Sequence, residues 1–250
     1  MSGHSHAANI MMRKGAQDRL KAKIFSKLAK EITVAVKVGN SADPAGNSRL
    51  KQAILAARKE SMPRENIDRA VAKGLPGGDD ANYEDVRYEG RGPLGVAFIV
   101  EALTDNRNRT GSAVKSAFSK AGGELGGAGS ATYNFSRVGV VFYPAGAGAP
   151  DALFEVAAEA GADDVVSDEE GHEIICAFEN LGRVRDAMEA KFGQAESSGA
   201  EWRAAQKLEI SDPDAARKLM NFIEALQDND DVQKIWTNHD IPDAVLAALE

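Results

Sequence analysis

Apolar residues recur every four positions in the first part of the chain, and this spacing places them along one face of a helix. The members of this stripe are Leu20, Ile24, Leu28, Ile32 and Val36. They predict a first helix over 17–38. Asn47 suits the N-cap of a second helix, Pro63 the first turn of a third, and Gly74 its end. We therefore predict a bundle of three short helices, followed by a linker at 76–78.

Beyond the linker the pattern changes to short strands alternating with helices. Strands are predicted at 86–89, 96–103, 131–135, 138–143, 164–167, 173–178, around Glu201, at 207–210 and at 232–236, and helices at 111–121, 151–160, 181–192 and 213–227. Between Val138 and Arg203 the order is strand, helix, strand, strand, helix, strand. This is the order of the ferredoxin-like fold.

These elements predict an α+β protein with an N-terminal three-helix domain and two α/β domains, the last ferredoxin-like and inserted in the other. The basic helical domain is placed at 1–78. The discontinuous α/β domain takes 79–136 with 205–250, and the inserted ferredoxin-like domain takes 137–204.

The charge of the chain is divided unevenly between its parts. The net charge is −8, yet residues 1–74 hold 15 Lys and Arg against 6 Asp and Glu, a balance of +9. Residues 75–250 hold 15 against 32, a balance of −17. This asymmetry favours a basic end that meets a polyanion such as nucleic acid, and the alternative is a set of basic helices that are merely solvated.

Two polar segments of the α/β part are candidates for contact with phosphate. The segment 104–110 lies between a buried strand and a helix, where Thr110 or Asn108 suits the cap. Arg107 and Arg109 of this segment indicate either a phosphate contact or an Arg–Asp network that fixes the loop. The glycine-rich run 122–130 lacks the ending of a P-loop, so a flexible connector or a backbone surface for RNA fits it better.

Several classes of function are disfavoured by the composition. The single cysteine, Cys176, allows neither an internal disulfide nor a thiolate zinc cluster, and no His, Cys, Asp or Glu spacing predicts a metal site. No catalytic or cofactor-binding motif appears. No apolar run reaches the roughly 18 residues of a membrane helix, and the polar N-terminus lacks a signal peptide, so we expect a cytoplasmic protein without a membrane partner.

Motifs along the whole chain resemble those of the YebC/PmpR family, which includes the mitochondrial translational activator of cytochrome c oxidase subunit one. The matching segments are Gly3-His4-Ser5, Ala8-Asn9-Ile10, Arg13-Lys14-Gly15-Ala16-Gln17-Asp18, Lys23-Ile24-Phe25-Ser26-Lys27-Leu28, Met62-Pro63, Asn66-Ile67, Thr104 to Thr110, Phe118-Ser119-Lys120 with the glycine run, and Asn238-His239-Asp240-Ile241-Pro242. The arm departs from the commonest family pattern, which has Lys-Trp at His6-Ala7 and Lys-His at Met11-Met12. Two basic charges and a stacking aromatic are therefore absent from the arm.

The resemblance implies three domains, and it implies that the basic arm and first helix carry the nucleic-acid contact. The residues to which it assigns this role are Arg13, Lys14, Arg19, Lys23 and Lys27. Bacterial members are described as transcriptional regulators that bind DNA. Others act in translation, binding ribosomal RNA and helping the ribosome through proline-rich stretches.

The sequence therefore predicts a non-enzymatic nucleic-acid-binding regulator of gene expression that needs no cofactor. A DNA-binding transcriptional regulator is the first interpretation, and a ribosome-associated translation factor that binds ribosomal RNA is the alternative. A different hypothesis is an enzyme with a site between the α/β domains, where Arg107 and Arg109 would grip a phosphorylated ligand. No feature of the sequence indicates an oligomeric state.

Overall fold

The computed structural model describes residues 17–78 and 81–248. Its first part is a bundle of three helices: α1 (Gln17–Gly39), α2 (Ser48–Lys59) and α3 (Arg64–Gly74). The C-terminal half of α1 supplies the buried side chains Ile32, Ala35 and Val36 to the core of this bundle. Asn47 caps α2 as predicted, because its Oδ1 accepts from the Leu50 amide at 3.0 Å.

A four-stranded antiparallel sheet follows, built from β1 (Glu84–Arg91), β2 (Ala97–Thr104), β3 (Glu124–Leu125) and β9 (Val232–Thr237). The strand order is β3-β1-β2-β9. The helices α4 (Arg107–Lys120) and α7 (Pro213–Gln227) cover one face, where the rings of Phe98, Phe118 and Phe222 meet edge to face. The other face of β2 packs Ala97 and Ile99 into a second cluster, which explains why this strand is apolar at almost every position.

A second four-stranded sheet is built from the chain segment between β3 and α7. Its elements are β4 (Phe135–Pro144), α5 (Pro150–Glu159), β5 (Asp164–Ser167), β6 (Gly171–Ala177), α6 (Leu181–Phe192) and β7 (Ser197–Ala204). The strand order β5-β6-β4-β7, antiparallel throughout, is that of a ferredoxin-like fold. The predicted α+β fold class is therefore confirmed, while the domain boundaries stay a prediction.

Several local predictions differ from the structure. The strand predicted at 131–135 was wrong: Thr132–Asn134 form a 3-10 turn, and β4 begins only at Phe135. The strand near 207–210 is only the short β8 (Leu208–Glu209), which pairs in parallel with β10 (His239–Asp240). The glycine run contributes β3, and the tail forms α8 (Asp243–Ala248), neither of which was predicted.

Across residues 17–78 and 81–248, no helix is both long and apolar enough to cross a membrane.

Candidate nucleic-acid interface

The N-terminal half of α1 extends its lysines away from the apolar stripe. The stripe becomes steadily more buried along the helix, from the half-buried Ile24 and Leu28 to Ile32, which has no exposed surface. Lys23, Lys27 and Lys30 follow one another at steps of four and three residues. They therefore lie along a single face of α1.

This lysine face meets the last residue of α7 and the turn that leads to β9, residues 227–231, which we call the acidic turn. Lys23 Nζ lies 2.6 Å from Asp228 Oδ1, and Lys27 Nζ donates to the Gln227 carbonyl at 2.6 Å. Lys30 Nζ lies 2.7 Å from Asp231 Oδ1 and also donates to the carbonyls of Asp230 and Leu103. The acidic turn thus binds Lys23 and Lys27, two of the cations to which the family resemblance assigns the nucleic-acid contact.

The lysines of α1 differ strongly in their exposure. Lys21 is exposed and forms no ion pair with any residue that the structure describes. The Lys23 side chain retains 41% of its exposure, whereas that of Lys30 retains 15%. Burial lowers the pKa of Lys27 to about 8, although nearby carboxylates of the acidic turn oppose this shift. Accessibility therefore falls along the helix from Lys21 to Lys30.

Asp231 is the centre of a buried network that joins α1 to the α/β part. Its Oδ2 accepts from Arg109 Nη2 at 2.7 Å and from the Thr110 hydroxyl at 2.6 Å, while Oδ1 pairs with Lys30. Burial disfavours the charge of this carboxylate. Hydrogen bonds from Arg109, Lys30 and Thr110 outweigh the burial and hold the pKa of Asp231 well below its usual range.

The two arginines of segment 104–110 have different environments. One Arg109 nitrogen, Nη2, is held by both Asp105 and Asp231, which is the Arg–Asp network considered as the structural alternative. Arg107 is freer, because 68% of its side chain is exposed and its nearest ion-pair partner, Glu84, is 3.9 Å away. The cap of α4 is Asn106, not Thr110 or Asn108, because Asn106 Oδ1 accepts from the Arg109 amide.

The glycine-rich run is held in place by an internal carboxylate. Glu89 Oε2 accepts from the amides of Gly129, Ala131 and Thr132 and from the Thr132 hydroxyl, each at 3.0 Å. Only 2% of the Glu89 side chain is exposed. The Gly129 amide of the run and the two amides just beyond the run are therefore occupied by the protein's own carboxylate, and this end of the run is fixed, unlike a flexible connector.

Other cations of the helical bundle were not singled out by the sequence. Arg49, Lys51 and Lys59 form ion pairs with carboxylates, mostly of the α/β part. Arg58, Arg69 and Lys73 are exposed and form no ion pair with a described residue. Only the regional charge balance could have indicated them, because no motif marks an exposed arginine.

A groove of about 670 Å³ runs between α4 and α7, beside the acidic turn. Small residues open it, among them Ala113 and Ala117, and the exposed Lys120 and Lys218 line it. Asp228, the partner of Lys23, lines the same groove. The groove therefore continues the surface that begins on α1.

The cleft on the open face of the second sheet does not suit a phosphorylated ligand. Carboxylates dominate its charged lining, namely those of Asp168, Glu170, Glu173, Glu196 and Glu201, opposed by Lys59 and Lys234. Arg107 and Arg109 do not line it.

Among the residues that the structure describes, no group of three or more His, Cys, Asp or Glu could hold a metal ion. Burial raises the pKa of the Cys176 thiol, which lies in the core.

Part of the predicted interface lies outside the described residues. This holds for Arg13 and Lys14 of the arm, and for the side chain of Arg19, whose backbone belongs to α1. Of the remaining candidates, Lys23 and Lys27 lie together against the acidic turn. Arg109 joins them through Asp231, while Arg107 lies beside Glu84.

Comparison with known proteins covers nearly the whole chain. Residues 5–76 match the description "TACO1/YebC protein N-terminal domain", and residues 83–239 match "TACO1/YebC second and third domain", a family labelled as transcription-regulator-like. A crystal structure of a conserved hypothetical protein from Aquifex aeolicus is similar, with 40% sequence identity and a TM-score of 0.78. The similarity covers 93% of this chain and 96% of that one. The chain therefore belongs to the TACO1/YebC family, a family of regulator type.

Proposed function

We propose that this protein is a non-enzymatic regulator of gene expression that binds nucleic acid through its basic N-terminal domain. The observation that carries the proposal is the +9 charge of residues 1–74, set against a −17 remainder. Much of this positive charge lies at the surface, since Lys21, Arg58, Arg69 and Lys73 are exposed without an ion-pair partner among the described residues. Such cations neutralise phosphates and release counterions.

The proposed contact surface consists of the arm and the first turns of α1. Arg13, Lys14, Arg19, Lys23 and Lys27 are its members, joined by the exposed Lys21. Lys30 is left out because an ion pair with the buried Asp231 fixes its ammonium group, whereas Lys27 donates to the Gln227 carbonyl.

The segment 104–110 forms the edge of the proposed surface. Arg107 contributes through its exposed guanidinium group. Arg109 contributes through the 54% of its side chain that stays exposed while Asp105 and Asp231 hold one nitrogen. Lys120 and Lys218 extend the same surface along the groove between α4 and α7.

Transcriptional regulation through DNA is the first form of the proposal. It is supported by the label of the family that matches residues 83–239. A duplex carries dense phosphate charge, so a compact cationic end is sufficient for contact.

Action in translation, through ribosomal RNA, is the second form, and a specific observation favours it. The acidic remainder would repel DNA that wrapped around it, because its net charge is −17. A ribosome can be met by one basic domain while the acidic part projects into solvent. The protein would then reside in the cytoplasm.

Binding to promoter DNA and sedimentation with ribosomes, measured in the same series of salt concentrations, test the proposal. We expect the affinity for the true partner to fall steeply with salt, with a slope of about −0.9 for each phosphate contacted in duplex DNA. Stronger retention on ribosomes would select translation, and stronger promoter binding would select transcription. An affinity independent of salt would contradict both forms.

Substitution of the proposed surface provides the residue-level test. The double variant Lys21→Gln with Lys23→Gln should flatten the DNA salt slope by about 2, since two phosphate contacts are lost. The matched control is Lys191→Gln with Lys207→Gln, which removes the same charge from the acidic part. Equal losses in both variants would locate the contact elsewhere.

A further inference from the structure

The acidic turn binds α1 across a very long sequence separation. Its contacts join Lys23, Lys27 and Lys30 to residues about 200 positions later, and they repeat along one face of the helix. The shortest contact of each lysine places a carboxylate or carbonyl oxygen 2.6 to 2.7 Å from the ammonium nitrogen. Phosphate oxygens form charge-assisted hydrogen bonds with lysine at similar distances.

The contacts between α1 and the acidic turn become more buried from Lys23 to Lys30. The Lys23–Asp228 pair is open to solvent, with side-chain exposures of 41% and 59%, so water and salt weaken it. The Lys30–Asp231 pair is mostly buried, with exposures of 15% and 8%, and Arg109 shares its carboxylate. The open end of the contact lies toward the start of α1, where the proposed nucleic-acid surface begins.

Two carboxylates of the turn add negative charge without holding the fold together. Asp228 is exposed, and its carboxylate pairs only with Lys23 among the described residues. Asp230 is also exposed, and it contacts Lys30 through its carbonyl oxygen while its carboxylate accepts no hydrogen bond from a described residue. Their charge therefore acts on the lysine face without being needed for the buried Asp231 network.

We propose that the acidic turn is an intramolecular competitor of nucleic acid, covering the lysine face of α1 until a polyanion displaces Asp228 and its neighbours. This inference rests on the proposed function, because it names the regulation of the same surface. Displacement begins at Lys23 and extends to Lys27, while Lys30 and Asp231 keep α1 attached. The turn thereby sets a threshold for binding. Only a partner with a higher density of negative charge than the turn displaces it from the lysines.

The test compares the variant Asp228→Asn with Asp230→Asn against the wild type in binding a 20-nucleotide RNA and a 20-base-pair DNA duplex. Asparagine keeps the shape of both side chains and removes two negative charges. The matched control is Glu155→Gln with Glu159→Gln, an exposed pair on α5 that changes the net charge equally. We expect roughly three- to tenfold tighter binding by the turn variant, a smaller change in the control, and convergence of all three proteins at high salt.

The outcomes separate this inference from the proposed function. Binding by the wild type with no gain in the turn variant, or with an equal gain in the control, would overturn the competitor while leaving the proposed function intact. Absence of binding by all three proteins would overturn both. Amide hydrogen exchange gives a second measurement, and we expect faster exchange in the first turns of α1 in the turn variant. Unchanged exchange together with unchanged affinity would exclude displacement of the turn.

Discussion

At the scale of single residues, Asp231 shows how one buried carboxylate can decide the position of a helix. Lys30, Arg109 and Thr110 all donate to it, and they come from two helices, α1 and α4, that are far apart in the chain. A buried carboxylate with this many donors stabilises the folded state only while it remains ionised.

Replacement of Asp231 by asparagine should destabilise the protein by about 3 kcal/mol, because the buried Lys30 and the Arg109 fork lose their counter-charge. Urea unfolding followed by circular dichroism measures this change. Asp230→Asn is the control, since it makes the same chemical change at the exposed neighbouring position. Similar losses of stability in the two variants would show that the Asp231 network stabilises the protein no more than the exposed Asp230 does.

The buried Lys27 makes the free energy of unfolding depend on pH. Burial lowers its pKa in the folded protein from 10.5 to about 8. Between these two values the unfolded chain holds a proton that the folded chain has released, so the free energy of unfolding rises with pH through this window. Below pH 8 both states are protonated, and this contribution no longer changes with pH.

We therefore expect Lys27→Met to remove part of the rise in stability between about pH 8 and pH 10. Urea unfolding at several pH values across this window measures the slope. Lys21→Met serves as the control, because Lys21 is exposed on the same helix and should leave the slope as it is. Identical slopes for the Lys27 variant and the wild type would contradict the assigned burial of this ammonium group.

At the scale of elements, the sequence predicts regular segments well and irregular ones poorly. The helices α6 and α7 have the bounds that their apolar periodicity predicts, and β2 follows the apolar run at 96–103 closely. Each of these elements is determined by residues within itself. The sequence pattern at 131–135 predicts a strand, whereas residues 132–134 form a 3-10 turn whose conformation depends on Glu89, more than 40 positions earlier.

The features of the candidate site also fall into two groups, those that the local sequence indicates and those that it does not. The sequence indicates that Lys23 and Lys27 lie off the apolar stripe, and it indicates that segment 104–110 is a polar loop. It contains no local signal that the acidic turn, about 200 residues later, covers the same lysines. Ion pairs between distant segments depend on tertiary packing, so neither periodicity nor spacing reveals them.

The glycine run offers a test at this scale. Glu89→Ala removes the carboxylate oxygen that accepts from the amides of Gly129, Ala131 and Thr132. We expect these three amides to exchange with deuterium at least tenfold faster, with a loss of about 1 to 3 kcal/mol in global stability. Arg87→Gln is the control, because Arg87 pairs with the other Glu89 oxygen and leaves these amides bonded. Equal protection in the Glu89 variant and the wild type would show that the run holds its shape without the carboxylate.

At the scale of the whole molecule, the net positive charge belongs to the helical bundle and the net negative charge to the α/β part. The positive helical bundle is attached to an acidic α/β part through ion pairs, including Lys51 with Glu189 and Lys59 with Glu196. These pairs bind the bundle to the rest of the protein while consuming part of its charge. The surface left for nucleic acid is therefore smaller than the +9 balance of the N-terminal segment alone suggests.

Lysine footprinting measures the extent of that surface directly. On saturation with the 20-nucleotide RNA or the duplex, Lys21 and Lys23 should become several-fold less reactive toward an amine-acetylating reagent, because phosphates cover their exposed ammonium groups. Lys191 and Lys207 should keep their reactivity, since they lie in the acidic part, and Lys30 should react slowly in both states because it is already buried. Lys120 and Lys218 decide whether the surface continues along the groove between α4 and α7: protection of both extends it, and unchanged reactivity confines it to α1 and the arm. Protection of Lys191 without protection of Lys21 would mean that the acidic part, against its charge, makes the contact.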